Sequence, residues 1–222
     1  MKVNGVIFDM DGTLVDSLSF WEHLWSEIGK RYLDDPSFLP DKEDDRRVRT
    51  MIYKDAMRFI RRKYEIVADD SEFEEFSVNC ITDFYTSIAK AKPGATELLE
   101  YLKKQGIKIC LASATARREI GTSLKATDLE KHFDLILSCA DIGIGKEKPD
   151  IYIEALKLMG LNGDGVWVVE DSYVALESAK RAGLSTVGVY DKYSYNQDRL
   201  KALADIYLGD GHALDELIGI FE

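Results

Sequence analysis

Short runs of apolar and β-branched residues alternate along most of this chain with segments of helical spacing, and that alternation limits the fold more than any other feature. The runs are 3–8, 107–113, 135–138, 166–170 and 186–190, with a shorter one at 206–208. Between most of them, 95–105, 117–126, 151–159 and 174–182 repeat apolar residues at helical intervals. Continuously apolar strands are buried on both faces, and parallel strands need crossover helices to join them. The expected architecture is a Rossmann-like parallel α/β sheet with helices on both sides.

One region breaks the alternation. Between 16 and 92 no strand is evident, while Phe20, Leu24 and Ile28 recur at i, i+4 and i+8 with Trp21 and Trp25 beside them. Val48, Ile52, Ala56 and Ile60 repeat the pattern, and a further helix is expected over 72–89. Pro93-Gly94 then resets the chain. The expected organisation is an α/β core of 1–15 and 90–222, with a helical cap domain, 16–89, inserted after the first strand. A length of 222 residues suits such a core with an insert.

A net charge of -11 argues against nucleic acid or an anionic membrane as partner, because both need a basic face. A phosphate can still bind where a metal ion or a few lysines invert the field within one cleft. Cys80, Cys110 and Cys139 are odd in number and form no C-x-x-C pair, so no disulfide framework is expected. Cys110, inside an apolar run, reads as a small buried hydrophobe. Run 3–8 is too short for a signal-peptide core, and no apolar run approaches membrane-spanning length. The expectation is a soluble cytoplasmic protein, a monomer or weak dimer, whose partner is a small molecule.

The chemistry-bearing residues cluster at the ends of the apolar runs. The first run leads into Phe8-Asp9-Met10-Asp11-Gly12-Thr13-Leu14-Val15-Asp16. A carboxylate just past a buried parallel strand stands at the crevice where such sheets bind ligands. On an extended chain Asp9 and Asp11 share a face, and Gly12 lets the backbone turn and aim amide N–H groups at the same crevice. Two close carboxylates repel unless a cation or a shared proton relieves them, although an ordinary acidic turn would carry the same residues. Leu111-Ala112-Ser113-Ala114-Thr115 sets a hydroxyl at another strand end, where Ser113 either donates to a phosphate oxygen or simply opens a loop.

Gly143-Ile144-Gly145-Lys146-Glu147-Lys148-Pro149-Asp150 fails the Walker spacing, with Glu147 standing where Ser or Thr is required. It leaves a lysine on a glycine-loosened loop before a helix starting near Pro149, suited to a phosphoryl group or to solvent. Val166-Trp167-Val168-Val169-Glu170-Asp171-Ser172 ends an apolar run in two carboxylates. These are oxygen ligands for a hard divalent cation such as Mg2+, and Asp171 or Ser172 also fits a helix N-cap. Each element is weak alone, but a parallel sheet gathers all four around one crevice.

On the motifs D-M-D-G-T-L-V-D, L-A-S-A-T, G-K-E-K-P-D-I-Y and V-V-E-D-S, in that order, the chain resembles the haloacid-dehalogenase-like hydrolase superfamily over nearly its whole length. More narrowly it looks like the subgroup of β-phosphoglucomutases and phosphoglycolate-type phosphatases, whose helical cap follows the first motif. The resemblance implies Mg2+-dependent hydrolysis of a small phosphorylated metabolite, a sugar phosphate or similar. It makes Asp9 the nucleophile that forms an aspartyl-phosphate, and Asp11 the general acid and base. It gives Ser113 and Lys146 the transferring phosphoryl group, with Gly12, Thr13 and Ala114 at the phosphate site. It puts Mg2+ on Asp9, the backbone carbonyl of Asp11 and Asp171, with Glu170 close by or acting through water. The family's lysine stands four residues before the Asp of P-D-I, which selects Lys146 over Lys148.

Dehalogenases of the superfamily need neither a second carboxylate nor a metal, so Asp11 with Glu170 and Asp171 favours phosphorus chemistry. Phosphonatases need a Schiff-base lysine from the cap, and Lys30, Lys42, Lys54 and Lys63 stand in no recognisable context for one. Mutases of the subgroup use a cap histidine where this chain aligns Trp21, with His23 two residues further on. Asp-Gly-Thr rather than Asp-Gly-Val also leans to a phosphatase. The alternatives are a phosphosugar mutase, transfer to an acceptor other than water, and a non-catalytic phosphate-binding protein. Arg46, Arg47, Arg49, Arg58, Arg61 and Arg62 in the cap could meet a second anionic group on the substrate, or simply face solvent.

Overall fold

The computed structural model describes residues 2–49, 51 and 53–221. The chain divides into two compact units, Met1–Leu18 with Ala89–Glu222, and Ser19–Ile88.

The first unit is built on a sheet. Its strands are β1 (Gly5–Phe8), β2 (Val15–Asp16), β3 (Lys90–Ala91), β4 (Lys108–Ser113), β5 (Leu135–Ser138), β6 (Val166–Glu170), β7 (Ser185–Val189) and β8 (Ile206–Leu208). Six of them form one sheet in the order β5-β4-β1-β6-β7-β8, paired in parallel throughout. The alternation of apolar runs thus gives the architecture it implies. β1 and β6 are buried along their whole length, which is why their sequences read as continuous apolar runs rather than as alternation.

From β1 the chain first builds outward through β4 to β5, then returns to the other side of β1 for β6, β7 and β8. β1 therefore lies at the switch point where open α/β sheets bind ligands, at the strand C-termini. The register sharpens this: Phe8 pairs with Leu111 on β4 and with Val169 on β6. Asp9, Ser113 and Glu170 consequently leave three adjacent strands within one residue of each other. Beneath one face, Ile7, Cys110, Ala112, Val168, Ile151, Tyr152 and Ala155 pack into a single apolar cluster.

One detail of this unit departs from the sequence pattern. β2 and β3 form an antiparallel ribbon, Val15 opposite Ala91 and Asp16 opposite Lys90, inside the stretch read as strandless. A two-residue ladder leaves no periodicity to detect. Pro93-Gly94 does reset the chain, Gly94 taking φ +77° before the helix Ala95–Lys104.

The second unit is helical: α1 (Phe20–Ile28), α2 (Lys42–Val48), α3 (Tyr53–Lys63) and α4 (Asp70–Ser87). Phe20, Leu24 and Ile28 are all buried, as their spacing requires. The pattern 48–60 falls on two helices rather than one, with Val48 buried in α2 and Ala56 and Ile60 buried in α3; Ile52 lies outside the described residues. Trp25 is buried and donates its indole N–H to Asp45 Oδ1 at 2.8 Å, so its polar edge is met within this unit. No helix among the described residues is long and apolar enough to cross a membrane.

Asp205 ties the edge strand β8 to its neighbour. One of its oxygens accepts the N–H and the hydroxyl of buried Thr186 on β7, at 2.8 and 2.9 Å, while the other takes Lys180 Nζ at 2.7 Å. Burial pushes this carboxyl up, but the hydrogen bonds from Lys180 and Thr186 prevail and hold it below its ordinary value. Such a group stabilises the fold above the usual Asp range and ceases to do so as the pH falls through its lowered value. Asp205→Ala should lower the unfolding free energy in urea by about 1–3 kcal/mol at pH 7, since it strands buried donors of Thr186. The gap between wild type and variant should close in acid, below about pH 4; equal stability at pH 7 would contradict this account of the β7–β8 edge.

Candidate active site

The site assembles at the C-terminal ends of β4, β1 and β6. Asp9 follows β1 directly, and its N–H still donates to Val169 O at 3.0 Å, so the residue is held on the ladder while its side chain leaves the sheet. Glu170 closes β6 and Asp171 follows it. All three carboxylates are buried, and each offers an oxygen within 4.8 Å of the other two.

One cation stands among them. Lys146 Nζ is ion-paired with Asp9 Oδ1 and lies 3.3 Å from Glu170 Oε1. Burial opposes the charge on Lys146, yet Asp9 and then Glu170 overcome it and push the ammonium's pKa well above its ordinary value. The carboxylates move the other way. Burial, then Asp9, raises Glu170 well above the carboxylate range, and the same two causes push Asp171 up to about 7. Three buried carboxyls against one ammonium leave the cluster short of positive charge.

The donor set fits a hard divalent cation. It is all oxygen, it is crowded enough to need a cation, and Glu170 Oε2 is buried with no hydrogen-bond partner among the described residues. Gly12 makes room beside it: at φ +82°, a Cβ there would come within 2.7 Å of Asp171 Oδ2.

Asp11 has different company. Its Oδ1 accepts from Ser17 Oγ at 2.6 Å and its Oδ2 from Thr115 Oγ1 at 2.6 Å. The Asp9 and Asp11 side chains therefore meet separate partners, a cation for one and two neutral hydroxyls for the other. The turn after β1 explains the divergence. Gly12 N–H donates to Val15 O at 2.9 Å, and the Leu14 and Val15 N–H groups both donate to Met10 O at 2.9 Å. Gly12 thus lets the backbone turn as expected, and its own N–H is used within that turn. The Asp11 side chain lies outside the carboxylate group formed by Asp9, Glu170 and Asp171.

The remaining expected residues fall as follows. Ser113 is buried at the end of β4, and its oxygen accepts Thr115 N–H at 3.0 Å. Ala114 beside it is exposed. Thr13 is fully buried, and its hydroxyl reaches Asp171 Oδ1 at 3.4 Å, so it faces a carboxylate. Lys148 is exposed, while Lys146 is the lysine at the cluster. Ser172 occupies the N-cap position of the helix Tyr173–Arg181 without a capping hydrogen bond from its side chain.

Sequence reasoning missed Ser17, Thr115 and Ser194 as partners of the carboxylates. Ser194 Oγ donates to Asp171 Oδ2 from 23 residues away. Asp191 initiates a turn: its Oδ1 accepts Tyr193 N–H at 2.9 Å, and its Oδ2 also pairs with Lys92 Nζ at 2.8 Å. In the helical unit Arg49 pairs with Asp45, Arg61 and Arg62 with Asp70, and Arg58 with Asp55, while Arg47 lies over the Phe59 ring. His23 lies ring to ring with Phe84 at 5.6 Å.

A parallel α/β sheet with a lysine and three carboxylates gathered at its switch point defines a class of hydrolytic enzymes. The sequence model of the haloacid dehalogenase-like hydrolases matches residues 3–183, and the chain belongs to that family. A relative from Thermotoga maritima, "Phosphorylated carbohydrates phosphatase", is 30% identical over 186 residues, covering 83% of this chain and 84% of the relative. "Protein CbbY" of Rhodobacter capsulatus is 27% identical over 207 residues, covering 89% of this chain and 90% of that protein. Among solved structures, a Thermotoga maritima protein provisionally described as a beta-phosphoglucomutase superposes with a TM-score of 0.82 at 27% identity, covering 99% of this chain and 98% of the other.

The crowding of like charges makes a prediction about metal. Asp171→Asn should raise the melting temperature of the metal-free protein, because it removes one buried carboxylate from beside two others. MgCl2 should stabilise the wild type by about 2.7 kcal/mol at a hundredfold excess over its dissociation constant, and should stabilise the variant far less. Equal shifts in both, read by thermal unfolding, would place the cation elsewhere.

Proposed function

We propose that this enzyme is a Mg2+-dependent phosphatase that hydrolyses a small phosphomonoester, a sugar phosphate or similar metabolite, through an aspartyl-phosphate on Asp9. The observation that carries the reading is the separation of the two aspartates: Asp9 sits with Lys146, Glu170 and Asp171, while Asp11 is held apart by Ser17 and Thr115. Nucleophile and proton carrier are two different tasks, and two differently supported carboxyls suit them. The name of the Thermotoga maritima relative points to the same substrate class.

Asp9, Asp171 and Glu170 would hold the cation, with the Asp11 backbone carbonyl as a further ligand. When bound, Mg2+ supplies charge that neutralises these carboxylates and draws electron density from the phosphoryl oxygens. In the first step an Asp9 oxygen attacks phosphorus, the bond from phosphorus to the leaving oxygen breaks, and the Asp11 carboxyl gives that oxygen its proton. In the second, water attacks phosphorus, Asp11 takes the proton from the water, and the bond to Asp9 breaks to release phosphate. Lys146, ion-paired with Asp9, stabilises the transferring group, while Ser113 donates to a phosphoryl oxygen.

The test is phosphate release from p-nitrophenyl phosphate and a panel of sugar phosphates, nucleoside monophosphates and pyrophosphate. With Mg2+ we expect release that EDTA abolishes and that Asp9→Asn lowers on the order of a thousandfold or more. Conversion of β-glucose 1-phosphate to glucose 6-phosphate without phosphate release would make the enzyme a mutase instead. A folded, Mg2+-binding protein that turns over nothing on the panel would overturn the hydrolytic reading.

A further inference from the structure

The Asp171 carboxylate is gripped from a loop far along the chain. Ser194 Oγ donates to its Oδ2, and Thr13 Oγ1 reaches its Oδ1 at the longer distance of 3.4 Å. The loop that delivers Ser194 is tied at several points. Asp191, 4% exposed, accepts Tyr193 N–H on Oδ1 at 2.9 Å and Ser194 N–H on its carbonyl at 3.0 Å. Its Oδ2 pairs with Lys92 Nζ at 2.8 Å, and the same ammonium donates to Tyr190 O at 3.2 Å. Gln197 Nε2 closes the far side by donating to the carbonyls of Asp191 and Ser194 at 3.1 and 3.3 Å. A buried ion pair, an Asx turn and an amide clamp together hold one serine hydroxyl against one carboxylate.

We infer that Ser194 is a positioning residue for the cation site, fixing the rotation of the Asp171 carboxylate so that a set oxygen faces Asp9 and Glu170. The inference rests on the metal reading of those three carboxylates. Its physical basis is that the terminal torsion of Asp is broad and nearly two-fold, so an unsupported carboxylate samples many orientations before it binds. A donor on one oxygen removes that freedom in advance. A hydroxyl does so without cancelling the charge the cation needs, which a lysine in its place would cancel. Partners of metal-binding side chains commonly set affinity by ten- to a hundredfold through such contacts. If the same hydrogen bond only pinned a loop, its loss would cost stability and leave metal affinity alone.

The experiment measures Mg2+ affinity on the full chain by titration calorimetry, and independently by the rise in melting temperature with MgCl2. Wild type, Ser194→Ala and Ser194→Thr are compared. We expect Ser194→Ala to weaken Mg2+ binding about tenfold or more with its metal-free melting temperature unchanged, and Ser194→Thr to restore binding. Unaltered affinity in Ser194→Ala overturns the inference, as does a loss that metal-free destabilisation accounts for. Should Ser194→Ala fail to fold, Gln197→Ala removes only the clamp: weaker binding supports the inference and unchanged binding overturns it. A wild type that binds no Mg2+ by either method removes the metal reading and this inference with it. Normal binding in both wild type and Ser194→Ala removes the inference alone.

Discussion

Everything at this site follows from a shortage of positive charge beside the central strand. Three buried carboxyls face one ammonium, and burial alone would drive such groups to neutralise. Lys146 resists because two carboxylates hold its proton, and its own charge is in turn paired with Asp9. Glu170 and Asp171 receive less of that help and carry raised pKa values. A site of this kind is poised to take up a cation, or the positive charge of a polarised phosphorus, because either relieves a strain that folding has already imposed. The cost falls on stability, which the buried apolar strands β1, β4 and β6 are placed to supply.

Sheet topology puts the shortage where it can act. β1 pairs on one side with β4 and on the other with β6, so the residues that leave their C-terminal ends are neighbours by register. No long loop has to carry Asp9 to Glu170, and the distance between them is set by strand spacing. Asp11, only two residues beyond Asp9, escapes the cluster because the turn closes on Met10 O and sends its carboxylate to Ser17 and Thr115. Two aspartates separated by one residue thereby reach different surroundings, which suits the separate nucleophilic and proton-transfer roles proposed for them.

Much of this was legible before any coordinates. Buried parallel strands read as uninterrupted apolar runs, so β5, β6 and β8 fall on the residues expected of them, and the others shift by one or two. The acidic and basic members of the cluster were legible too, because Asp9, Lys146, Glu170 and Asp171 stand in motifs tied to strand ends. What stayed hidden has a common physical character. The ribbon of β2 and β3 is two residues long and has no period. The pattern from Val48 to Ile60 falls on two helices, and nothing in its spacing separates them. Ser17, Thr115 and Ser194 are hydroxyls, and a serine or threonine in a loop satisfies so many local roles that only a fold can say which carboxylate it meets. Thr115 reaches Asp11 across 104 residues of sequence.

The hidden residues share one further property, and it explains why hydroxyls stand where cations would bind more strongly. Asp11 accepts from Ser17 and Thr115, and Asp171 from Ser194 and, more loosely, Thr13, so hydroxyl donors support both carboxyls. A lysine at any of these places would hold the carboxylate more firmly but would lower its pKa and spend its charge. Asp171 would then have less to offer a divalent ion. A hydroxyl fixes direction and leaves charge almost untouched, and it can rotate to become an acceptor when its partner gains a proton. Lys146 is accordingly paired with Asp9 and Glu170, where charge itself is needed, and serine and threonine hydroxyls orient Asp11 and Asp171.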